Sequence, residues 1–152
     1  MKVKRSPVTF QNVISTKSRS KVSEWHQTAK DFRNAIIRND LYSTGPIIYR
    51  VSNFSTETEE ADYTFYIPVN APVKMAENDR FEFTSVLEFE DGLSFRHAEL
   101  DEDIEIAYDL LREVAEAHKL KLEEPFYNIY LDVYGSGIID VYAPIVKVPD
   151  HD

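Results

Sequence analysis

Four tyrosines, Tyr49, Tyr66, Tyr130 and Tyr142, stand in short runs of alternating apolar and polar residues, and Phe126, Asn128 and Asp140 share those runs. Aromatic rings at strand spacing supply flat apolar area and cation-π attraction, while an amide and a carboxylate orient whatever lies against them. This is the chemistry of holding a small hydrophobic or aromatic molecule, with Asp140 as a counter-charge. The same tyrosines are also good strand formers on a half-exposed sheet, so residue type leaves both readings open.

Covalent chemistry finds less support. The chain has no cysteine, which excludes disulfides, thiolate metal sites and cysteine nucleophiles. His26 and His97 lack the spacing of metal ligands, so neither a metal nor another cofactor is expected. Gly135-Ser136-Gly137 joins two strands with no helix after it, a hairpin turn rather than a phosphate loop. No serine-hydrolase elbow, P-loop or dinucleotide fingerprint is present, and the expectation is a protein that is not an enzyme. Hydrolysis would need Glu99 or Asp140 as base beside a tyrosine.

The elements that must position these residues occur twice. Trp25, Ala29, Phe32 and Ile36 fall on one stripe of a helix, and a shift of 79 maps them onto Ile104, Tyr108, Leu111 and Ala115. The same shift pairs Leu41 with Leu120, Pro46 with Pro125 and Tyr49 with Asn128. Further on, DYTFYIPV (62–69) matches IIDVYAPI (138–145), aligning Tyr66 with Tyr142 and Pro68 with Pro144. Trp25 therefore belongs to a packing stripe rather than to a ligand-stacking position.

The expected fold class is α+β: two tandem strand-helix-strand-strand repeats forming a mostly antiparallel sheet, helices on one side and a central groove. A single domain over 1–152 divides into repeat one at about 7–72, repeat two at about 80–148 and a tail at 149–152. Strands are expected near 8–18, 46–53, 62–70, 81–90, 93–99, 125–133 and 138–147. The first helix is expected to begin after Ser20 and fade at Arg38–Asp40, and Asp101, Glu102 and Asp103 are expected to open the second. Strand alternation predicts that Tyr127, Ile129, Leu131 and Val133 pack on the helix side, with Phe126, Asn128, Tyr130 and Asp132 opposite. It likewise predicts Ile139, Val141, Ala143 and Ile145 inward, with Asp140 and Tyr142 opposite, and Tyr63, Phe65 and Ile67 inward, with Thr64, Tyr66 and Tyr49 opposite.

Charge narrows the partners. The formal net charge is −10, which disfavours direct nucleic-acid binding. Residues 1–50 carry +7 and residues 51–152 carry −17, so the two parts attract within a monomer or across a homodimer. The acidic part, with Glu57, Glu59, Glu60 and Asp101–Asp103, also suits a protein partner with a basic surface. MKVKRSPVTF lacks the apolar stretch of a secretory signal, and no run approaches the ~20 apolar residues of a membrane span, so a cytoplasmic protein without membrane contact is expected.

FRHAELDEDIEIAYDLLREV and EPFYNIYLDVYGSGIIDVYAPI, with the strand-end Tyr-x-Pro of both repeats, resemble the GyrI-like superfamily over nearly the whole chain. Its members are small-molecule-binding domains of bacterial multidrug-responsive transcription regulators, and gyrase-inhibitor-like proteins that stand alone. The resemblance implies a stand-alone effector-binding module with Tyr49, Tyr66, Phe126, Asn128, Tyr130, Asp140 and Tyr142 around its ligand. It also implies two alternatives, a gyrase-inhibitor-like interaction module and a hydrolase pairing a tyrosine with a carboxylate. Many members carry a glutamate that pairs with cationic ligands where this chain has Asn128, a neutral amide that cannot offset a buried cation. No helix-turn-helix precedes the domain, so a role in transcription would run through a partner.

Overall fold

The computed structural model describes residues 3–98, 103–133 and 136–146. Expectations for Glu99, Asp101, Glu102, Gly135 and the tail at 149–152 lie outside the described residues, as do the side chains of Asp132, Val133 and Ser136. The fold is α+β, and its residues group into two compact units: Thr9–Glu88, the first, and Met1–Val8 with Phe89–Asp152, the second.

In the first unit, β2 (Val8–Lys21) leads through α1 (Trp25–Arg38) to β3 (Ile47–Ser52) and β4 (Glu60–Pro68). β4 pairs antiparallel with both β2 and β3, and β5 (Phe81–Phe89) lies beside β2, so the strand order is β3-β4-β2-β5. Alternation explains the division of faces: Ala61, Tyr63, Phe65 and Ile67 of β4 are buried at every second position. α1 buries Ala29, Phe32 and Ile36, the expected stripe, and the Phe32 ring stacks on Phe81 of β5 at 5.9 Å between centroids.

The second unit repeats the order. β6 (Gly92–His97) leads through α2 (Glu105–Ala117) to β7 (Tyr127–Val133) and β8 (Ser136–Pro144), and β8 pairs antiparallel with β6 and β7. The two-residue β1 (Lys4–Arg5), which periodicity did not foresee, pairs with β6. Its Arg5 guanidinium clasps the Asp91 carboxylate at 2.6 Å. α2 packs Ala107, Leu111 and Ala115 on Leu93, Phe126, Ile139, Val141 and Ala143.

Both helices stop in the same way. After α1 the Leu41 N–H donates to Ile36 and the Asp40 N–H to Ile37; after α2 the Leu120 N–H donates to Ala115 and the Lys119 N–H to Glu116. This is the Schellman pattern, which needs a left-handed residue, and Asp40 (φ 62°) and Lys119 (φ 58°) provide it without being glycine. The apolar residue that follows, Leu41 or Leu120, turns the chain back, and Leu120 packs against the second unit's core.

A Cβ in the left-handed region costs about 1 kcal/mol. Lys119→Gly is therefore expected to raise unfolding stability by roughly 0.5–1 kcal/mol, less the added freedom of the unfolded glycine. Urea denaturation at neutral pH measures this, and a loss of stability would contradict the assigned cap.

Candidate functional site

The helix of each unit covers one strand face and leaves the other free of helix. In the first unit that face is a grid set by register. Across β3, β4 and β2 its rows read Ile48, Tyr66, Ser15, then Arg50, Thr64, Lys17, then Ser52, Asp62, Arg19. Tyr66 and Thr64 lie opposite the helix as alternation predicts. Tyr66 lines a cavity of about 580 Å³ with Ser15, Lys17, Arg50 and Thr64, walled on its far side by Asn78 to Glu82. That volume lies within the roughly 300–1,000 Å³ of small-molecule sites. Thr16 fixes the far wall by donating its hydroxyl to the Arg80 carbonyl at 2.8 Å, and the Asn78 side chain accepts from the Arg80 and Phe81 N–H groups.

In the third row the Asp62 carboxylate accepts from Arg19 at 2.9 Å and from Asn53 at 2.8 Å. The Asn53 bond, then Arg19, holds that carboxyl below its usual range. A second cavity of about 460 Å³ opens on the helix side, between α1 and residues 73–78. Its walls include Ile14, Ile36, Leu41, Val73, Met75 and Phe81.

Tyr49 departs from the expected arrangement. Paired with Phe65, it lies on the helix side, 5% exposed, with its ring 4.4 Å from Trp25. Its counterpart Asn128 pairs with Val141 on the helix side of the second unit, and Phe126 and Tyr130 share that side. The expected phase of strands 46–53 and 125–133 is thus inverted in both units. Asn128 is 1% exposed, and its carbonyl accepts from the Tyr108 hydroxyl of α2 at 2.6 Å. Phe126 meets Tyr108 edge-on at 5.6 Å and lies under the Arg112 guanidinium. The inversion in the second unit has a physical reason: apart from Asn128, residues 126–131 are apolar or aromatic on both alternating sets, and a buried amide is tolerated where a helix hydroxyl meets it.

Asp140 and Tyr142 lie opposite the helix as expected, and both are engaged by neighbours. Both carboxylate oxygens of Asp140 accept from Arg96, at 2.8 and 3.0 Å. Tyr142 is 1% exposed, lies over Gly92 and donates to the Ser6 carbonyl at 2.8 Å, while Phe89 tilts against both it and Tyr127. A Cβ at position 92 would run into that phenol. Of the seven residues chosen from sequence, Tyr66 alone borders the 580 Å³ cavity. Lys17 and Arg50, which border it too, were overlooked; the alternation Ser15, Lys17, Arg19 was their only signal.

Among the described residues no cluster of His, Asp and Glu has the arrangement of a metal site, and no helix is long and apolar enough to cross a membrane.

A family model described as a domain of unknown function (DUF5085) matches residues 9–148. Comparison with curated proteins finds no match. Among solved structures, EcmrR in its DNA complex aligns over 97% of this chain with a TM-score of 0.72 at 14% identity, and the chain spans 58% of its length. The EcmrR C-terminal domain alone is covered completely, again with 97% of this chain, with a TM-score of 0.69 at 15% identity. A hydrolase from Listeria innocua gives 0.63 at 12% identity, covering 95% of this chain and 92% of that one. SAV2435 bound to tetraphenylphosphonium gives 0.55 at 9% identity, covering 96% and 94%. At these identities the likeness is one of fold.

Burial, and secondarily the Asp91 charge, push the Tyr142 phenol up to about 12, above the usual value near 10. The unfolded chain releases this proton first, so the stability it contributes is complete below pH ~10 and is lost between ~10 and ~12. Thermal melts should show that decline flattened in Tyr142→Phe, which at neutral pH loses about 1 kcal/mol with the Ser6 hydrogen bond. Gly92→Ala should lose roughly 1–3 kcal/mol by overpacking, and much of it should return in Gly92→Ala/Tyr142→Ala. Strict additivity of the two changes would contradict the contact.

Proposed function

We propose that this chain, which belongs to the DUF5085 family, is a small-molecule-binding module that takes its ligand against the helix-free face of its first unit. The observation that carries the reading is the cavity beside Tyr66, concave, bounded by the aromatic residues Tyr66 and Phe81 and by polar groups, in a fold shared with a protein seen bound to tetraphenylphosphonium. Several convergent polar groups with an aromatic wall are what a small-molecule site requires. The likeness to EcmrR and the GyrI-like resemblance support a sensing or sequestering role over a structural one. The shared element order and the matching Schellman caps support duplication of one strand-helix-strand-strand unit as the origin of both halves.

Site assignment moves with the geometry. Tyr66 is retained from the sequence-derived set, joined by Thr64, Ser15, Lys17 and Arg50. Tyr49, Phe126, Asn128 and Tyr130 serve instead to seat the helices, and Tyr142 to lock β8 over Gly92.

Differential scanning fluorimetry with 1-naphthyl phosphate, 1-naphthoate and tetraphenylphosphonium tests the reading. A probe at ~100 times its dissociation constant adds about 2.7 kcal/mol, several degrees in Tm for a chain of this size. At least one probe should give that rise, and Tyr66→Ala should abolish it while the variant still unfolds cooperatively. An equal rise in the variant would move the site elsewhere, and no rise with any probe would defeat the reading.

A further inference from the structure

We propose that the first unit carries a second ligand site, the helix-side cavity between α1 and residues 73–78, and that it takes the aliphatic chain of a small molecule. The cavity measures about 460 Å³ and is separate from the Tyr66 cavity, with which it shares Asn78 and Phe81 as wall. Its size is that of small-molecule sites, roughly 300–1,000 Å³. The apolar lining comes from three places: Ile14 on β2, Ala35, Ile36 and Leu41 at the end of α1, and Val73 and Met75 on the connector between β4 and β5. That connector is pinned at both ends. The Asn70 side chain accepts from the Tyr42 N–H at 3.0 Å, and the Arg80 carbonyl accepts from the Thr16 hydroxyl at 2.8 Å. Residues 71–80 run without helix or strand, so Val73 and Met75 wall the cavity without closing it.

The chemistry of the lining selects the ligand. Both amides in it are committed to the backbone. Asn39 donates to the Ala35 carbonyl at 2.7 Å; Asn78 donates to the Ala76 carbonyl at 3.0 Å and accepts from the Arg80 and Phe81 N–H groups at 2.9 and 2.7 Å. Water needs two to four polar partners to settle in a cavity, and apolar cavities take apolar molecules instead. The ring in the lining, Phe81, already stacks with Phe32 at 5.9 Å and lies under the Arg80 guanidinium at 5.0 Å, so its area is committed and the remaining apolar walls are aliphatic. Met75 adds an unbranched thioether that adjusts to chains of different shape. Lys74 and Glu77, both exposed, contribute one charge of each sign, so the site reads the chain rather than the charge of its head group. A chain seated here gives Ile14, Ile36 and Leu41 dispersion contacts on their cavity side.

Isothermal titration of the full chain with butanol, hexanol, octanol and decanol tests this. Each added methylene should tighten binding by about three- to fourfold until the chain outgrows the cavity. Ala35→Leu, which keeps a good helix former while extending a side chain into the cavity, should weaken octanol binding by about tenfold or more. Met75→Glu, a change on the connector, should weaken it similarly, and both variants should unfold cooperatively in urea. A second readout leaves the site unaltered. The chain has two methionines, Met1 and Met75, and the methyl carbon signal of Met75, assigned by its loss in Met75→Leu, should shift with octanol and saturate at the dissociation constant that titration gives. Octanoate and octyltrimethylammonium should shift that signal at similar concentrations, and naphthol only at higher ones. A Met75 signal that stays fixed while octanol binds would overturn the inference, as would octanol binding unaltered in both variants, a stronger dependence on head-group charge than on chain length, or no binding by any alcohol. Each of these outcomes is independent of the Tyr66 cavity, whose own test uses Tyr66→Ala.

Discussion

Each unit depends on one constraint: a helix stripe and a strand face must fill a fixed volume between them, and whichever strand face they use is removed from solvent. In the first unit the strand brings the bulk, Tyr49, and Trp25 lies on its ring while the next turn offers Ala29. In the second unit the helix brings the bulk, Tyr108, and the strand answers with Asn128, whose carbonyl accepts the phenol's hydrogen bond. Close packing makes the two solutions equivalent in space, though one is apolar and the other is a buried hydrogen bond.

The faces left over differ in the two units for the same kind of reason. In the second, Tyr142, Tyr127 and Phe89 close on one another, and Tyr142 gains a backbone acceptor in Ser6, so aromatic area is spent on cohesion. In the first, the corresponding positions hold Tyr66 among hydroxyls and cations, groups that prefer hydration to mutual packing and so leave a recess. The chemistry of the recess follows from which residues were too polar to collapse into it.

Much of this was legible in the sequence and some of it was not, for identifiable causes. The helix stripes, the 79-residue offset, the β4 alternation and the inward set on β8 could be read because one face of each element is consistently apolar. The phase of β7 could not be read from periodicity, because Phe126 and Tyr130 are as apolar as Ile129 and Leu131, and the polar marker, Asn128, points inward to the Tyr108 hydroxyl of α2. On β3, where Arg50 and Ser52 mark the outer set, the phase was misassigned by carrying Asn128's supposed place over to Tyr49. Lys17 and Arg50 were hidden differently. Each is an ordinary surface cation in its own strand, and only the β2-β4-β3 register places the two on either side of Thr64. The β1 pairing with β6 joins two residues to a strand some ninety positions later, beyond the reach of any local pattern.

The exchange of bulk between helix and strand bears on how such halves diverge. With Tyr108 over Asn128 in one half and Ala29 on the helix beside Tyr49's strand in the other, substitution at either partner alone leaves a void or a collision, whereas a paired change restores the volume. Drift at these positions is therefore epistatic: the two sites should vary together across descendants, and a chimera that joins the helix of one half to the strands of the other would inherit two large residues or two small ones.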